Sequence, residues 1–153
     1  MSGLEDLYRE IILDHYKNPR NKGTLEVPPA LRTEGLNPLC GDEIAVYLQL
    51  EGDRVVDVKI GGQGCSISQS SASMMTTAVK GKTVAEARAV IRAFKAMMSI
   101  HEAGLDGETS DDAPPLKLGD LEALRGVVKF PVRIKCATLA WNTFALALDE
   151  SPA

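Results

Sequence analysis

The sequence predicts a single α+β domain in which a small antiparallel β-sheet packs against several α-helices. One amphipathic helix comes first, two strand-like runs follow it, and further helical segments complete the chain, which is an order typical of α+β domains. The length of 153 residues suits one domain. With 44% hydrophobic and 25% charged residues, the composition is that of a globular protein.

The first helix is predicted from apolar residues that recur at helical spacing between Leu4 and Ile12, with His15 on the same stripe. It should end before Asn18-Pro19, because proline disfavours the helical conformation of the residue before it. Residues 18–35 show little periodicity and are predicted to form a loop. Loops of that length are typical of binding segments rather than plain connections.

Two runs of β-forming residues predict a hairpin. Residues 43–50 alternate between core-facing and outward-facing side chains, residues 55–60 are rich in valine, and residues 51–53 (EGD) supply a short turn. The glycines of residues 61–64 (GGQG) are predicted to turn the chain sharply after the second strand.

Four helical segments follow the hairpin. The first begins directly after Cys65, and the last begins at Pro131, a residue favoured at the first helical position, and carries Cys136 in its early turns. An acidic, turn-rich stretch predicts an exposed loop between about 103 and 118. The predicted helices span residues 66–80, 83–98, 118–127 and 131–148.

Composition excludes several classes of protein. A net charge of −4 without a basic stripe disfavours nucleic-acid binding. No apolar run approaches the ~20 residues of a membrane-spanning helix, and the first residues lack the features of a signal peptide, so we expect a cytoplasmic protein with no membrane partner. Three widely spaced cysteines suit reduced thiols, and a domain of this size needs no metal to hold its core, so any metal is expected to be functional.

The cysteines Cys40, Cys65 and Cys136, together with Asp42, are candidate metal ligands. Cys40 precedes the first strand of the hairpin on a turn, and Asp42 offers a carboxylate two residues later. Cys65 is expected at a helix N-terminus, whose partial positive charge stabilises a thiolate. Three thiolates and one carboxylate complete a tetrahedral zinc site, and iron is compatible with the same ligands.

Two cations on the last helix are candidate supporting residues. Arg133 lies three positions before Cys136, Lys135 is adjacent to it, and both could balance the negative charge of four anionic ligands. Spacing alone leaves another interpretation open, since free cysteines without a C-x-x-C motif are often core residues. His15 and His101 are expected to be structural rather than ligands.

Several motifs resemble one known family. Residues 37–42 read NPLCGD, residues 64–72 read GCSISQSSA, residues 131–141 read PVRIKCATLAW, and residues 7–21 read LYREIILDHYKNPRN. In these motifs the chain resembles the U-type iron–sulfur cluster assembly proteins, the NifU N-terminal and IscU-like family. The resemblance spans nearly the whole chain, in order, and implies one domain over residues 1–153 with that family's sheet, a hairpin plus a short strand.

Within the family, the chain looks most like the SufU branch. Lys135 stands where IscU-like scaffolds carry a histidine before the third cysteine, and residues 129–133 (KFPVR) do not preserve the scaffolds' chaperone-recognition segment. An inserted loop and short helix at about 104–127 fall between the second and third cysteines, where the SufU branch carries an insertion.

The resemblance implies a function in iron–sulfur cluster biogenesis. It implies a zinc ion at Cys40, Asp42, Cys65 and Cys136, and a carrier rather than a free-standing enzyme. Cys40 would accept sulfur as a persulfide from a cysteine desulfurase, SufS, and pass it to a downstream Suf scaffold or apo-protein. Two alternatives stay open: a scaffold that assembles a [2Fe–2S] cluster on the same residues, and a purely structural metal.

Overall fold

The structure, a computed structural model, describes residues 2–27, 30–37, 41–98, 119–129 and 131–150. These residues form helices and one sheet, which confirms the predicted α+β class. None of the helices in these ranges has the length and hydrophobicity of a membrane-spanning segment. The elements are α1 (Ser2–Lys17), β1 (Leu31–Asn37), β2 (Asp42–Glu51), β3 (Arg54–Gln63), α2 (Ser66–Val79), α3 (Val84–Met98), a 3₁₀ helix (Gly119–Lys129) and α4 (Pro131–Glu150).

The sheet has the order β1-β2-β3 with antiparallel neighbours, so the predicted hairpin is confirmed as β2 and β3. Gly52 in the hairpin turn has a φ of 64°, a conformation that glycine adopts without strain. β3 continues through Gln63, so the sharp turn predicted at 61–64 is wrong for its first three residues. The glycines there allow close approach to β2 instead, since a Cβ on Gly62 would overlap the carbonyl oxygen of Glu43.

The loop predicted for residues 18–35 is correct for its first part and wrong at its end, because β1 occupies 31–37. The inward face of β1 consists of Leu31, Thr33, Gly35 and Asn37. Only one of these four residues has a large apolar side chain, so the strand lacks the apolar alternation by which strands are recognised. α4 packs so closely on this face that a Cβ on Gly35 would overlap the side chain of Thr143. Before β1, the backbones of Asn21 and Gly23 hydrogen-bond to Ile60 on β3.

The core lies between the sheet and the helices α2, α3 and α4. Phe94 of α3 stacks on Trp141 of α4 with ring centroids 4.3 Å apart. His15 of α1 is buried, and its Nδ1 lies 2.8 Å from the Ser73 hydroxyl of α2, which agrees with the structural role expected for this histidine. His101 lies outside the described residues.

The remaining helix predictions agree with the structure within a few residues. α3 begins with a capping box in which the Thr83 backbone N–H donates to Glu86 and the Glu86 N–H donates to the Thr83 hydroxyl. The hydrogen bond from the Thr83 backbone lowers the pKa of the Glu86 carboxyl. The short helix predicted at 118–127 is present as the 3₁₀ helix, and the loop predicted at 103–118 lies outside the described residues.

A buried polar bridge joins α2 to α4. The indole Nε1 of Trp141 donates to the Ser71 hydroxyl at 3.0 Å, and that hydroxyl donates to the carbonyl oxygen of Ala137 at 2.6 Å. Both side chains are fully buried. Since Ala137 follows Cys136 and Ser71 belongs to the helix that starts after Cys65, the bridge fixes the two cysteine-bearing helices relative to each other.

Replacing Ser71 with alanine is expected to lower the free energy of unfolding by about 1–3 kcal/mol, because the buried Trp141 N–H then loses its acceptor. Urea unfolding followed by circular dichroism measures the effect. The control is Ser70→Ala, since the Ser70 hydroxyl is equally buried but donates within α2, to Ile67. Equal losses for the two variants would contradict a bridging role for Ser71.

Candidate metal site

Three of the predicted ligands converge at one end of the sheet. One ligand atom each from Asp42, Cys65 and Cys136 lies within 4.8 Å of the other two. Ligand atoms bound to one tetrahedral zinc ion at about 2.3 Å lie roughly 3.8 Å apart, so the three are close to the spacing that one ion imposes. The fourth predicted ligand, Cys40, lies outside the described residues.

Each ligand is placed by a different element. Asp42 is the first residue of β2, Cys65 is the N-cap of α2, and Cys136 lies in the second turn of α4. Asp42 and Cys136 are fully buried, and Cys65 is partly exposed. The predicted position of Cys65 at a helix N-terminus is confirmed, since its Sγ accepts a hydrogen bond from the Ser68 backbone N–H at 3.4 Å.

The Asp42 carboxylate is the strongest structural indication of a metal. Its Oδ1 accepts a hydrogen bond from the Cys65 backbone N–H at 2.9 Å. Its Oδ2 is buried and has no hydrogen-bond partner among the described residues. Burying a carboxylate oxygen without a partner is costly, and native proteins rarely do so. A cation held between this carboxylate and the two sulfur atoms would supply the missing partner, so the residues present fit a metal ion.

Gly64 makes room for this carboxylate. A Cβ at position 64 would lie 2.5 Å from Asp42 Oδ1 and 3.1 Å from its Cγ. Real Cβ atoms do not approach other atoms so closely, so a side chain at this position requires the carboxylate to move. The glycine before Cys65 is therefore part of the site.

Asn37 also contributes to the site, and the sequence did not predict it. This residue ends β1, is buried, and donates a hydrogen bond from Nδ2 to Cys136 Sγ at 3.8 Å. Its position in the NPLCGD motif indicated that Asn37 belongs to the site. Its hydrogen-bond partner, Cys136, depends on how α4 packs on β1, which local sequence does not specify.

The two predicted supporting cations lie on the surface. Arg133 and Lys135 are exposed on the first turns of α4, while Cys136 on the same helix is buried. Their charge-balancing role stays a prediction.

The order of these residues along the chain matches a known family. The family model described as NifU-like N terminal domain matches residues 7–137, which include all four predicted ligands and both cations. The chain belongs to the NifU-like N-terminal domain family. The resemblance inferred from the motifs is thereby confirmed, and the site lies inside the family domain.

Two curated relatives of this NifU-like domain are named as a sulfurtransferase and as an iron–sulfur cluster assembly scaffold. The chain is 50% identical over 141 residues to the zinc-dependent sulfurtransferase SufU of Bacillus subtilis, covering 92% of this chain and 88% of that protein. It is 40% identical over 151 residues to the iron–sulfur cluster assembly scaffold protein IscU of Streptococcus pyogenes, covering 99% and 88%.

A solved structure extends the similarity to the fold of the NifU-like domain. The crystal structure described as an iron–sulfur cluster assembly scaffold protein for the SUF system from Fervidobacterium islandicum superposes with a TM-score of 0.75 at 35% identity. The match covers 91% of this chain and 94% of that one. The sheet and helices that position the site are thus those of the family.

Proposed function

We propose that this protein is a zinc-dependent sulfur acceptor in iron–sulfur cluster assembly. The observation that carries the proposal is the buried Asp42 carboxylate. Its Oδ2 has no hydrogen-bond partner among the described residues, and one of its oxygens lies within 4.8 Å of the sulfur atoms of Cys65 and Cys136. The 50% identity to a relative named zinc-dependent sulfurtransferase supports zinc as the metal and sulfur as the cargo.

In this proposal the zinc ligands are Asp42, Cys65 and Cys136, with Cys40 as the fourth. Cys40 is joined to Asp42 through a single glycine. Zinc when bound holds its cysteine ligands as thiolates, and a thiolate is the form of cysteine that attacks sulfur. Cys65, at the N-cap of α2, and Cys136, within α4, stay with the metal, whereas Cys40 belongs to the segment that joins β1 to β2.

Cys40 is the proposed sulfur-accepting residue. Its thiolate attacks the terminal sulfur of a persulfide on the donor protein, forming a new S–S bond while the donor's own S–S bond breaks. The donor cysteine leaves as a thiolate, and Cys40 carries the persulfide, so no external oxidant or reductant is required. We propose a SufS-like cysteine desulfurase as the donor, and a Suf scaffold or apo-protein as the recipient.

Arg133 and Lys135 are the proposed supporting charges. Both are exposed beside the helix turn that carries Cys136, so they can offset the negative charge of the ligand set without being buried themselves. The same exposure leaves them free to meet an anionic surface of a donor protein.

A scaffold function is the second candidate, with a [2Fe–2S] cluster assembled on the same ligands. The 40% identity to a relative named as the scaffold IscU favours it. Lys135 counts against it, because an ammonium group is a poor ligand to iron compared with an imidazole. In the scaffold case the purified protein would bind iron and sulfide.

The proposal is tested by incubating the zinc-loaded protein with a SufS-type desulfurase and cysteine. We expect a mass gain of one sulfur atom on Cys40, and no such gain when the desulfurase is left out. We also expect the desulfurase to form alanine faster with this protein present than without it. The variant Cys40→Ser is expected to fold and to abolish both effects. Sulfur transfer by Cys40→Ser at the wild-type rate, or a variant that fails to fold, would contradict the acceptor role.

A further inference from the structure

Asn37 lies at the base of the connection that carries Cys40. It ends β1 and pairs across the sheet with Asp42, which begins β2, so these two residues flank the segment 38–41. The Asn37 side chain is directed into the protein, with 6% of the residue exposed, and its Nδ2 donates to Cys136 Sγ at 3.8 Å.

The two strand ends are thus tied to two different helices. Asp42 Oδ1 accepts a hydrogen bond from the Cys65 backbone N–H at the start of α2, and Asn37 donates to a sulfur atom on α4. Both ties end on candidate metal ligands. The base of the Cys40 connection is therefore fixed relative to the other two cysteines by side chains of the site itself.

Both described cysteine sulfur atoms of the site accept an N–H hydrogen bond. Cys65 Sγ accepts the Ser68 backbone N–H at 3.4 Å, and Cys136 Sγ accepts the Asn37 amide. An N–H donor stabilises negative charge on sulfur and makes that sulfur a poorer nucleophile. The donor to Cys65 comes from the backbone of α2, whereas the donor to Cys136 is a side chain and depends on the residue at position 37.

We propose that Asn37 is a positioning residue that keeps Cys136 as a resident, weakly nucleophilic zinc ligand and thereby directs sulfur transfer to Cys40. The inference rests on the proposed zinc-dependent function. Partners of metal ligands orient those ligands and tune them, and losing one typically lowers metal affinity by about 10- to 100-fold. Asn37 is such a partner of Cys136, a candidate ligand that is fully buried in α4.

The test compares zinc-loaded wild type with Asn37→Leu, which keeps the branched shape at Cγ, is somewhat larger, and removes the donor. Competition with a chromophoric chelator is expected to show zinc binding weakened by about 10- to 100-fold. Iodoacetamide labelling of the zinc-loaded protein, mapped by peptide mass spectrometry, is expected to show faster alkylation of Cys136 relative to Cys65. In cobalt-substituted protein, the sulfur-to-metal charge-transfer band should shift.

Thr33→Val is the matched control. Thr33 lies on the same buried face of β1 and also bonds to α4, but its hydroxyl donates to Glu150 at 3.0 Å rather than to sulfur. We expect its zinc affinity, Cys136 alkylation and cobalt spectrum to match the wild type. If this control changes all three readouts as Asn37→Leu does, the effect is one of packing and the inference is overturned.

Asn37→Asp provides a second variant of the same shape, in which an acceptor replaces the donor, in case Asn37→Leu does not fold. A folded Asn37→Asp with wild-type zinc affinity and wild-type Cys136 alkylation would overturn the inference. A result that overturns the role of Asn37 can be told apart from a result that overturns the proposed function. A wild-type protein that binds no zinc contradicts the function itself, whereas zinc-loaded wild type with unaltered Asn37 variants contradicts only the role of Asn37.

Discussion

Replacing Asp42 with asparagine is expected to weaken zinc binding by more than ~100-fold, which exceeds the usual effect of losing a partner outside the ligand set. The variant removes the charged oxygen that has no partner among the described residues, and an amide is a weak zinc ligand. Asparagine retains an oxygen that can accept the Cys65 N–H, so the fold around α2 should stay intact. Chelator competition measures the affinity.

The same variant should make the metal-free protein more stable. A buried carboxylate oxygen without a partner destabilises the folded state, and neutralising it is expected to raise the free energy of unfolding by about 1–3 kcal/mol. For a domain of this size the melting temperature rises by roughly 2–4 °C per kcal/mol. Melting curves in chelator and in zinc should therefore shift in opposite directions relative to wild type.

Asp57→Asn is the control for Asp42→Asn. Asp57 lies on β3, where its carboxylate accepts a hydrogen bond from the Val58 N–H and pairs with Lys80. Since these partners lie away from the three converging ligands, we expect zinc affinity to be unchanged. An Asp42→Asn protein that binds zinc as tightly as this control would contradict the assignment of Asp42 as a ligand.

Gly64→Ala is expected to abolish tight zinc binding although position 64 contributes no ligand atom. The added Cβ would lie 2.5 Å from Asp42 Oδ1 and 3.2 Å from Asp42 Cβ, so the whole carboxylate must shift. Asp42 cannot yield freely, because it begins β2 and its oxygen is bonded to the Cys65 N–H. We expect the zinc content of the purified variant to fall well below one ion per chain.

Gly61→Ala separates this effect from the general cost of a glycine substitution. A Cβ on Gly61 meets nothing nearer than the Gly23 carbonyl oxygen at 4.0 Å, which is ordinary contact. This variant should bind zinc as the wild type does. If Gly64→Ala and Gly61→Ala retained zinc equally, the close fit between Gly64 and the Asp42 carboxylate would have no functional consequence.

Regular patterns in the sequence predicted most of the fold. The hairpin and the helices after it have apolar periodicity and local caps, such as Thr83 with Glu86, that act within a few residues. The short strand that the family resemblance implied is present as β1, but periodicity did not locate it. Only one residue on its inward face, Leu31, has a large apolar side chain, and α4 packs closely on Gly35 of the same face. Such a strand is recognised from its partner, not from its own sequence.

The sequence predicted which residues form the candidate site but not how deeply they are buried or which hydrogen bonds they make. Spacing alone left core packing open, and Cys136 is indeed as buried as a core residue. The buried Asp42 carboxylate near Cys136 is the observation that favours a metal ligand over a core residue at position 136. The burial of Asp42 depends on the packing of β2, α2 and α4. The donor from Asn37 to Cys136 joins residues far apart in sequence, so no local pattern contains it.

We propose that zinc is held by Cys40, Asp42, Cys65 and Cys136. Zinc K-edge X-ray absorption on protein purified under reducing conditions, with elemental analysis of the same sample, tests it most directly. We predict one zinc per chain with three sulfur ligands at about 2.3 Å and one oxygen near 2.1 Å. Iron with inorganic sulfide, a zinc shell without sulfur, or protein free of metal would contradict the claim.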